Sequence, residues 1–273
     1  MSDSPNIKCF IYCALPCEAK ALIEYFRLKQ QTTISAFAIY SHNNLYLTVT
    51  GIGKSAMAAG VAYSQALFAD KQTSVILNIG IAGHLHHHLG QAFLIDKITD
   101  ADSLRCFYPP HVFSWANQKA SLQTLSRPSP LYHQSDLYDM EASAFYETAT
   151  RFTSSELVQC LKIVSDNTNA PLDNVKAKLA TQLITEQLPS LDQLLAQTKL
   201  LAEQLYQADP VHYIELVERY HFSSSQRLQL KNLLLRYQVL TNTTEKMNFL
   251  SFDNAKSVLE GLNKTLQNTS YYL

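Results

Sequence analysis

Glycine is scarce in this chain, with seven residues in 273 where roughly 7% is usual. Six of them fall between Gly51 and Gly90, at Gly51, Gly53, Gly60, Gly80, Gly83 and Gly90, and only Gly261 stands apart. Glycine used so sparingly goes where the backbone needs positive φ or must come close to another group. The scarcity therefore points to a binding site built around the segment from Gly51 to Gly90. Charge is also sparse, at 16% of residues with a net of −1. That argues against a protein whose whole surface grips nucleic acid or anionic lipid. No apolar run approaches the roughly 18–20 residues of a membrane-spanning helix. The opening MSDSPNIKCF has no basic stretch followed by a long apolar one, so no secretory signal is expected. Cysteine is odd in number, at Cys9, Cys13, Cys17, Cys106 and Cys160. Free thiols in a reducing cytoplasm are the expectation.

A 47% hydrophobic fraction is enough for a sizeable core. Ile7–Ala14 and Val75–Gly80 are short apolar runs of the kind buried in parallel sheets. Thr33–Tyr40 and Leu45–Thr50 read as a strand pair turning at His42-Asn43-Asn44. Phe93–Ile98 and Leu161–Ser165 add further strands. Glu18–Phe26, the alanine-rich Lys54–Ala69, Asp139–Phe152 and Lys176–Leu188 have helical spacing. Such alternation predicts an α/β domain with helices on both faces of a mixed sheet. After about Leu205 the strand-like runs stop. Three helical stretches, Val211–Tyr220, Ser224–Leu240 and Phe252–Gln267, predict an appended helical module over residues 206–273. Its bases Arg227, Lys231 and Arg236 do not share one face, so a nucleic-acid-binding tail is not favoured over a packing or dimer contact.

Four features carry candidate chemistry. Thr50-Gly51-Ile52-Gly53-Lys54-Ser55 contains Gly-Lys-Ser, but Thr48 stands where a P-loop needs its first glycine. What remains is a glycine turn at a helix N-terminus, suited to an anion or a hydroxyl-bearing ligand or simply to a tight turn. Gly80-Ile81-Ala82-Gly83 is expected to repeat that turn at the same sheet edge, where open α/β folds bind ligands. Asp139-Met140-Glu141-Ala142 is expected to open a helix, its acids either complementing the dipole or serving a site. Asp166, at the end of a buried strand, either caps a turn or enters a cleft as an acid. The run His84-Leu85-His86-His87-His88 reads as a solvated loop, and Cys9, Cys13 and Cys17 as a strand and turn. No metal site is expected at either, and no cofactor elsewhere.

The ordered set of Ala14–Ala19 (ALPCEA), GIGK at Gly51–Lys54, LNIGIAG at Leu77–Gly83, DMEA at Asp139–Ala142 and VSDN at Val164–Asn167 resembles the nucleoside phosphorylase/nucleosidase superfamily. The pattern is most similar to the methylthioadenosine/S-adenosylhomocysteine nucleosidases, over roughly residues 7–200. The resemblance implies a three-layer α/β/α sandwich around a mixed sheet and cleavage of a ribosyl N-glycosidic bond. It implies Asp166 as general acid, Glu18 positioning the attacking water, Glu141 on the ribose hydroxyls and Met140 against the sugar. Gly53, Gly80, Ile81 and Ser165 complete the implied substrate site. It also implies a small nucleoside as partner and a homodimer. Three departures stand out: Ile81 where relatives often carry serine, Lys162 where they carry arginine, and a shortened stretch between Gly90 and Asp139. Glu18 in the first loop favours water over phosphate. A phosphate-dependent phosphorylase, drawing on backbone N–H groups with Lys54 or Lys162, and a non-catalytic nucleoside- or partner-binding protein are the alternatives.

Overall fold

A computed structural model describes residues 7–69, 73–128, 136–206, 209–241 and 252–268. Its ten described strands form one mixed sheet. They are β1 (Cys9–Cys13), β2 (Lys29–Gln30), β3 (Ala38–His42), β4 (Leu45–Val49), β5 (Val75–Gly83), β6 (Ala92–Asp100), β7 (Cys106–Phe107), β8 (Lys119–Thr124), β9 (Leu137–Asp139) and β10 (Val158–Asp166). The helices around it are α1 (Pro16–Tyr25), α2 (Lys54–Phe68), α3 (Ala142–Ala149), α4 (Ala177–Glu186) and α5 (Leu188–Leu205).

Strand alternation builds the two cores. Cys9, Ile11 and Cys13 of β1 point to one face with Leu22 of α1, Leu183 of α4 and Leu194 of α5. Phe10 and Tyr12 point to the other with Met57 and Val61 of α2 and Phe145 of α3. This is the α/β/α layering expected from the sequence. Strand β5 runs parallel to β1 on one side and to β10 on the other. Beyond β10 the path continues through β6, β8 and β9 and returns to β5 at Gly83↔Tyr138, so these five strands close on themselves.

Several expectations need correction. No turn forms at Gly80-Ile81-Ala82-Gly83, because β5 continues to Gly83 and stays paired with β10 throughout. Asp139 does not open a helix. Thr124↔Asp139 pairing zips it onto β8, and α3 starts only at Ala142. Residues Thr33–Phe37 lie outside β3, which instead pairs with the short β2 as well as with β4. Strands β7, β8 and β9 went unforeseen, since each is short and mixed in polarity.

The contacts divide the chain into two compact units after Tyr206. The second contains α6 (Tyr213–Arg219), α7 (Ser224–Thr241) and α8 (Ala255–Asn268) around Leu216, Phe222, Leu230, Val258 and Leu262. Within it Lys231 pairs with Asp209 at 2.8 Å, so that base serves the unit's own structure. Among the described residues, no helix is long and apolar enough to cross a membrane.

Candidate active site

The site begins where β1 hands over to α1. Pro16 sits in the first turn of α1, where its missing N–H costs nothing. Glu18, two residues on, folds back so that its Oε2 accepts the Leu15 N–H at 2.8 Å. Its Oε1 accepts the Ile81 N–H at 2.9 Å. That N–H is available because β1 pairs with β5 only as far as Asn78, leaving the strand open beyond. Gly80 makes the approach possible. A Cβ there would stand 2.9 Å from Glu18 Oε1 and 3.4 Å from Lys162 Nζ. Gly80 is thus required for closeness, not for a turn.

The first glycine turn does form, with φ of 89° at Gly51 and 98° at Gly53. Its anion is internal. The Gly53 N–H donates to Glu141 Oε1 at 2.8 Å, so a carboxylate of the protein already occupies this end of α2. Lys54 is also engaged, with Nζ 2.9 Å from Asp100 and 2.5 Å from Asp102. Gly53 donates to one carboxylate and Gly80 makes room for another, and neither is among the residues that line the cleft, where both were expected to contact substrate.

Asp166 ends β10. The register slips between Val164↔Ala82 and Asp166↔Gly83, which leaves Ser165 as an extra residue. Such a bulge re-aims side chains. Here the Ser165 hydroxyl lies 2.5 Å from Asp166 Oδ1 as a donor. Both residues face the cleft and are almost wholly enclosed.

Beneath the three acids lies a cation that sequence reasoning placed but did not pair. Lys162 is 1% exposed, and its Nζ is 2.9 Å from Asp139 Oδ2. Asp139 also accepts the Thr124 hydroxyl at 2.8 Å and the Ala142 N–H at 2.9 Å, which tethers the start of α3. The pairing holds Lys162 firmly protonated despite its burial. Burial raises the Glu18 pKa, and the Ile81 N–H and Lys162 oppose the rise. Burial and then the Asp139 charge push Glu141 up to about 7, with Lys162 and the Gly53 N–H resisting. Glu141 is thus held where it can change protonation near neutrality, and Glu18 is shifted in the same direction.

Glu18, Glu141 and Asp166 line one cleft. Met140, Ile81 and Ser165 line it too. Its remaining wall is mostly apolar, from Ala14, Leu15, Ile52, Tyr138 and Leu172. On the shortened stretch, Leu125, Arg127 and Pro128 reach the cleft, whereas Phe107 packs against Tyr146 elsewhere. Ile52, Tyr138 and Leu172 were missed because nothing in their local pattern marks an apolar residue as a ligand contact. Among the described residues, no group of three or more His, Cys, Asp or Glu is arranged to hold a metal. The histidine run is not a solvated loop throughout, since His84 is 4% exposed.

No protein-family model and no curated protein matches this sequence. Solved structures do. The 5′-methylthioadenosine nucleosidase of Arabidopsis thaliana superposes with a TM-score of 0.59 at 15% identity, covering 71% of this chain and 96% of that one. A Helicobacter pylori nucleosidase variant with 5′-methylthioadenosine in its active site gives 0.57 at 10% identity, over 70% and 99%. The Chlamydia trachomatis nucleosidase gives 0.54 at 17% identity, over 69% and 98%. At such identities the likeness is one of fold: this chain has the fold of the methylthioadenosine/S-adenosylhomocysteine nucleosidases.

Proposed function

We propose that this protein is an N-glycosidase that hydrolyses the base–ribose bond of a nucleoside-like small molecule. One observation carries the reading: Glu18, Glu141 and Asp166, from three distant parts of the chain, converge on a single cleft. Glycosidic cleavage develops positive charge on the sugar, and a cleft walled by carboxylates stabilises it. In this reading the electrons of the C1′–N bond pass to the base, and Asp166 donates the proton that makes the base a neutral leaving group. Water then adds to C1′ and loses its proton to Glu18. Glu141 accepts hydrogen bonds from the ribose hydroxyls, and Met140 packs on the sugar. The nucleosidase fold agrees with this class of chemistry, and one neighbour of that fold holds a methylthio nucleoside.

The fate of the two lysines that a phosphate site would draw on favours water over phosphate as nucleophile. Lys162 is committed to Asp139, Lys54 to Asp100 and Asp102, and the Gly53 N–H to Glu141. A phosphate at the Glu18 position would meet carboxylates first. The test is incubation with a panel of purine nucleosides, including 5′-methylthioadenosine, with and without phosphate, assaying free base and ribose. Base release without phosphate is expected. Strict phosphate dependence refutes hydrolysis, and binding without release assigns the protein to non-catalytic nucleoside binding.

A further inference from the structure

Immediately after β5, His84 organises a turn that the reaction scheme leaves unused. Its Nδ1 accepts two backbone N–H groups, from His86 at 3.0 Å and from His87 at 2.8 Å. The facing loop is built the same way. Asn167 Oδ1 accepts the N–H groups of Asn169 and Ala170, each at 2.9 Å. The two turns are laced together. The His84 N–H donates to the Asp166 carbonyl at 3.0 Å. Asn167 Nδ2 donates to the His87 carbonyl at 2.8 Å, and the Thr168 hydroxyl to the Leu85 carbonyl at 3.0 Å. The backbone of Asp166 and the turn that follows it therefore hang on the His84 turn.

A ring nitrogen that accepts two N–H groups carries no proton, so the turn as built contains neutral His84. Protonation converts that acceptor into a donor facing two donors. An asparagine or aspartate in the same place keeps accepting. We propose that His84 is a positioning residue for Asp166: its neutral imidazole holds the turn that carries the Asp166–Asn167 segment, and protonation releases that turn. The catalytic half of this inference rests on Asp166 taking part in cleavage.

The titratable groups around His84 are His86, His87 and His88 on its own loop, Asp166 across the pairing on β10, and Tyr138 opposite Gly83 on β9. The His87 ring stacks on that of His84 at 3.8 Å between centroids and lies tilted against Phe93 at 4.5 Å. Burial, and then the charges of His84, His88 and His86, lower the His87 pKa. The crowding of imidazoles disfavours charge on His87.

The experiment compares wild type with His84→Asn, whose amide oxygen stands where Nδ1 stood and does not titrate. Amide protection factors of His86, His87, Asn169 and Ala170 are measured by NMR exchange from pH 8 to pH 5, alongside kcat for base release. Wild-type protection is expected to fall about tenfold or more on acidification, as two hydrogen bonds are lost, while the variant stays level. The kcat ratio of variant to wild type is expected to rise as pH falls. Glu141 is common to both proteins, so its titration cancels in the ratio. Protection independent of pH in wild type, or lost equally in the variant, overturns the proposal. So does a flat kcat ratio while the loop opens. Opening that depends on His84 in a protein cleaving no nucleoside upholds the turn and overturns the nucleosidase reading alone.

Discussion

Replacing Lys162 by methionine isolates the buried cation beneath the three acids. Methionine keeps most of the side-chain volume and removes the charge. The Asp139 carboxylate, 0% exposed, then loses its ion-pair partner at 2.9 Å and keeps only the Thr124 hydroxyl and the Ala142 N–H. Breaking a buried pair from one side costs about 3–5 kcal/mol, because the remaining charge is stranded. For a unit of this size, each kcal/mol lowers the melting temperature by about 2–4 °C. A drop of about 6–20 °C is therefore expected. The chain has one tryptophan, Trp115, and it packs on the core of the first unit. Its fluorescence during thermal unfolding at neutral pH reports on that unit without interference from the second. The double variant Asp139→Asn/Lys162→Met removes the stranded charge and keeps an amide oxygen to accept the Ala142 N–H, while the amide NH2 takes the place of the oxygen that accepted the Thr124 hydroxyl. It should recover at least half of the lost stability. A single variant within about 1 kcal/mol of wild type refutes the argument. So does a double variant no more stable than the single one.

Three further expectations follow from the same geometry. Glu141 titrates near 7 in the folded protein against an ordinary 4.5, so its burial penalty is absent below about pH 4.5 and complete above pH 7. Glu141→Gln should therefore be more stable than wild type at pH 8, with a gap that closes on acidification; urea titrations at pH 8 and pH 4 check the sign. Gly80→Ala places a methyl 2.9 Å from Glu18 Oε1 and should dislodge the carboxylate from the Ile81 N–H, lowering kcat about 10- to 100-fold. A crystal structure with Glu18 unmoved would contradict this. Asp166→Asn should lower kcat about 10²–10⁴-fold with little change in melting temperature, and wild-type turnover in that variant removes Asp166 from the mechanism.

Much of this was legible along the chain. The apolar runs at Ile7–Ala14 and Val75–Gly80 became neighbouring central strands, because only a strand buried on both faces tolerates such unbroken hydrophobicity. The helices at Pro16, Lys54 and Ala177 begin within two residues of their expected starts. The acids at Glu18, Glu141 and Asp166 were found through the order of short motifs, and all three reach the cleft. Gly80 shows where reading by local rules went astray. Glycine suggests a turn, yet here it is a strand residue, and what it serves is sixty-two positions away at Glu18. Asp139 shows the same failure. As a local feature it looks like a helix opener, but pairing with β8 and the charge of Lys162 claim it for the sheet.

The resemblance to the nucleosidases pointed to Glu18, Glu141 and Asp166, while the sequence by itself determined the layered α/β fold and the change to helices near Leu205. Those depend on periodicity and on residue type, which are properties of a chain in one dimension. Tertiary structure alone decided what each charge is worth. It set Glu141 against the Gly53 N–H, paired Lys162 with Asp139, and made His84 the acceptor on which the Asp166 turn hangs. Burial and partners fix a group's protonation and reach, and both are matters of distance across the fold. The scarce glycines belong to both accounts. Their clustering pointed to this region from the sequence, and only the fold showed that the Gly53 N–H holds Glu141 and that Gly80 makes room for Glu18.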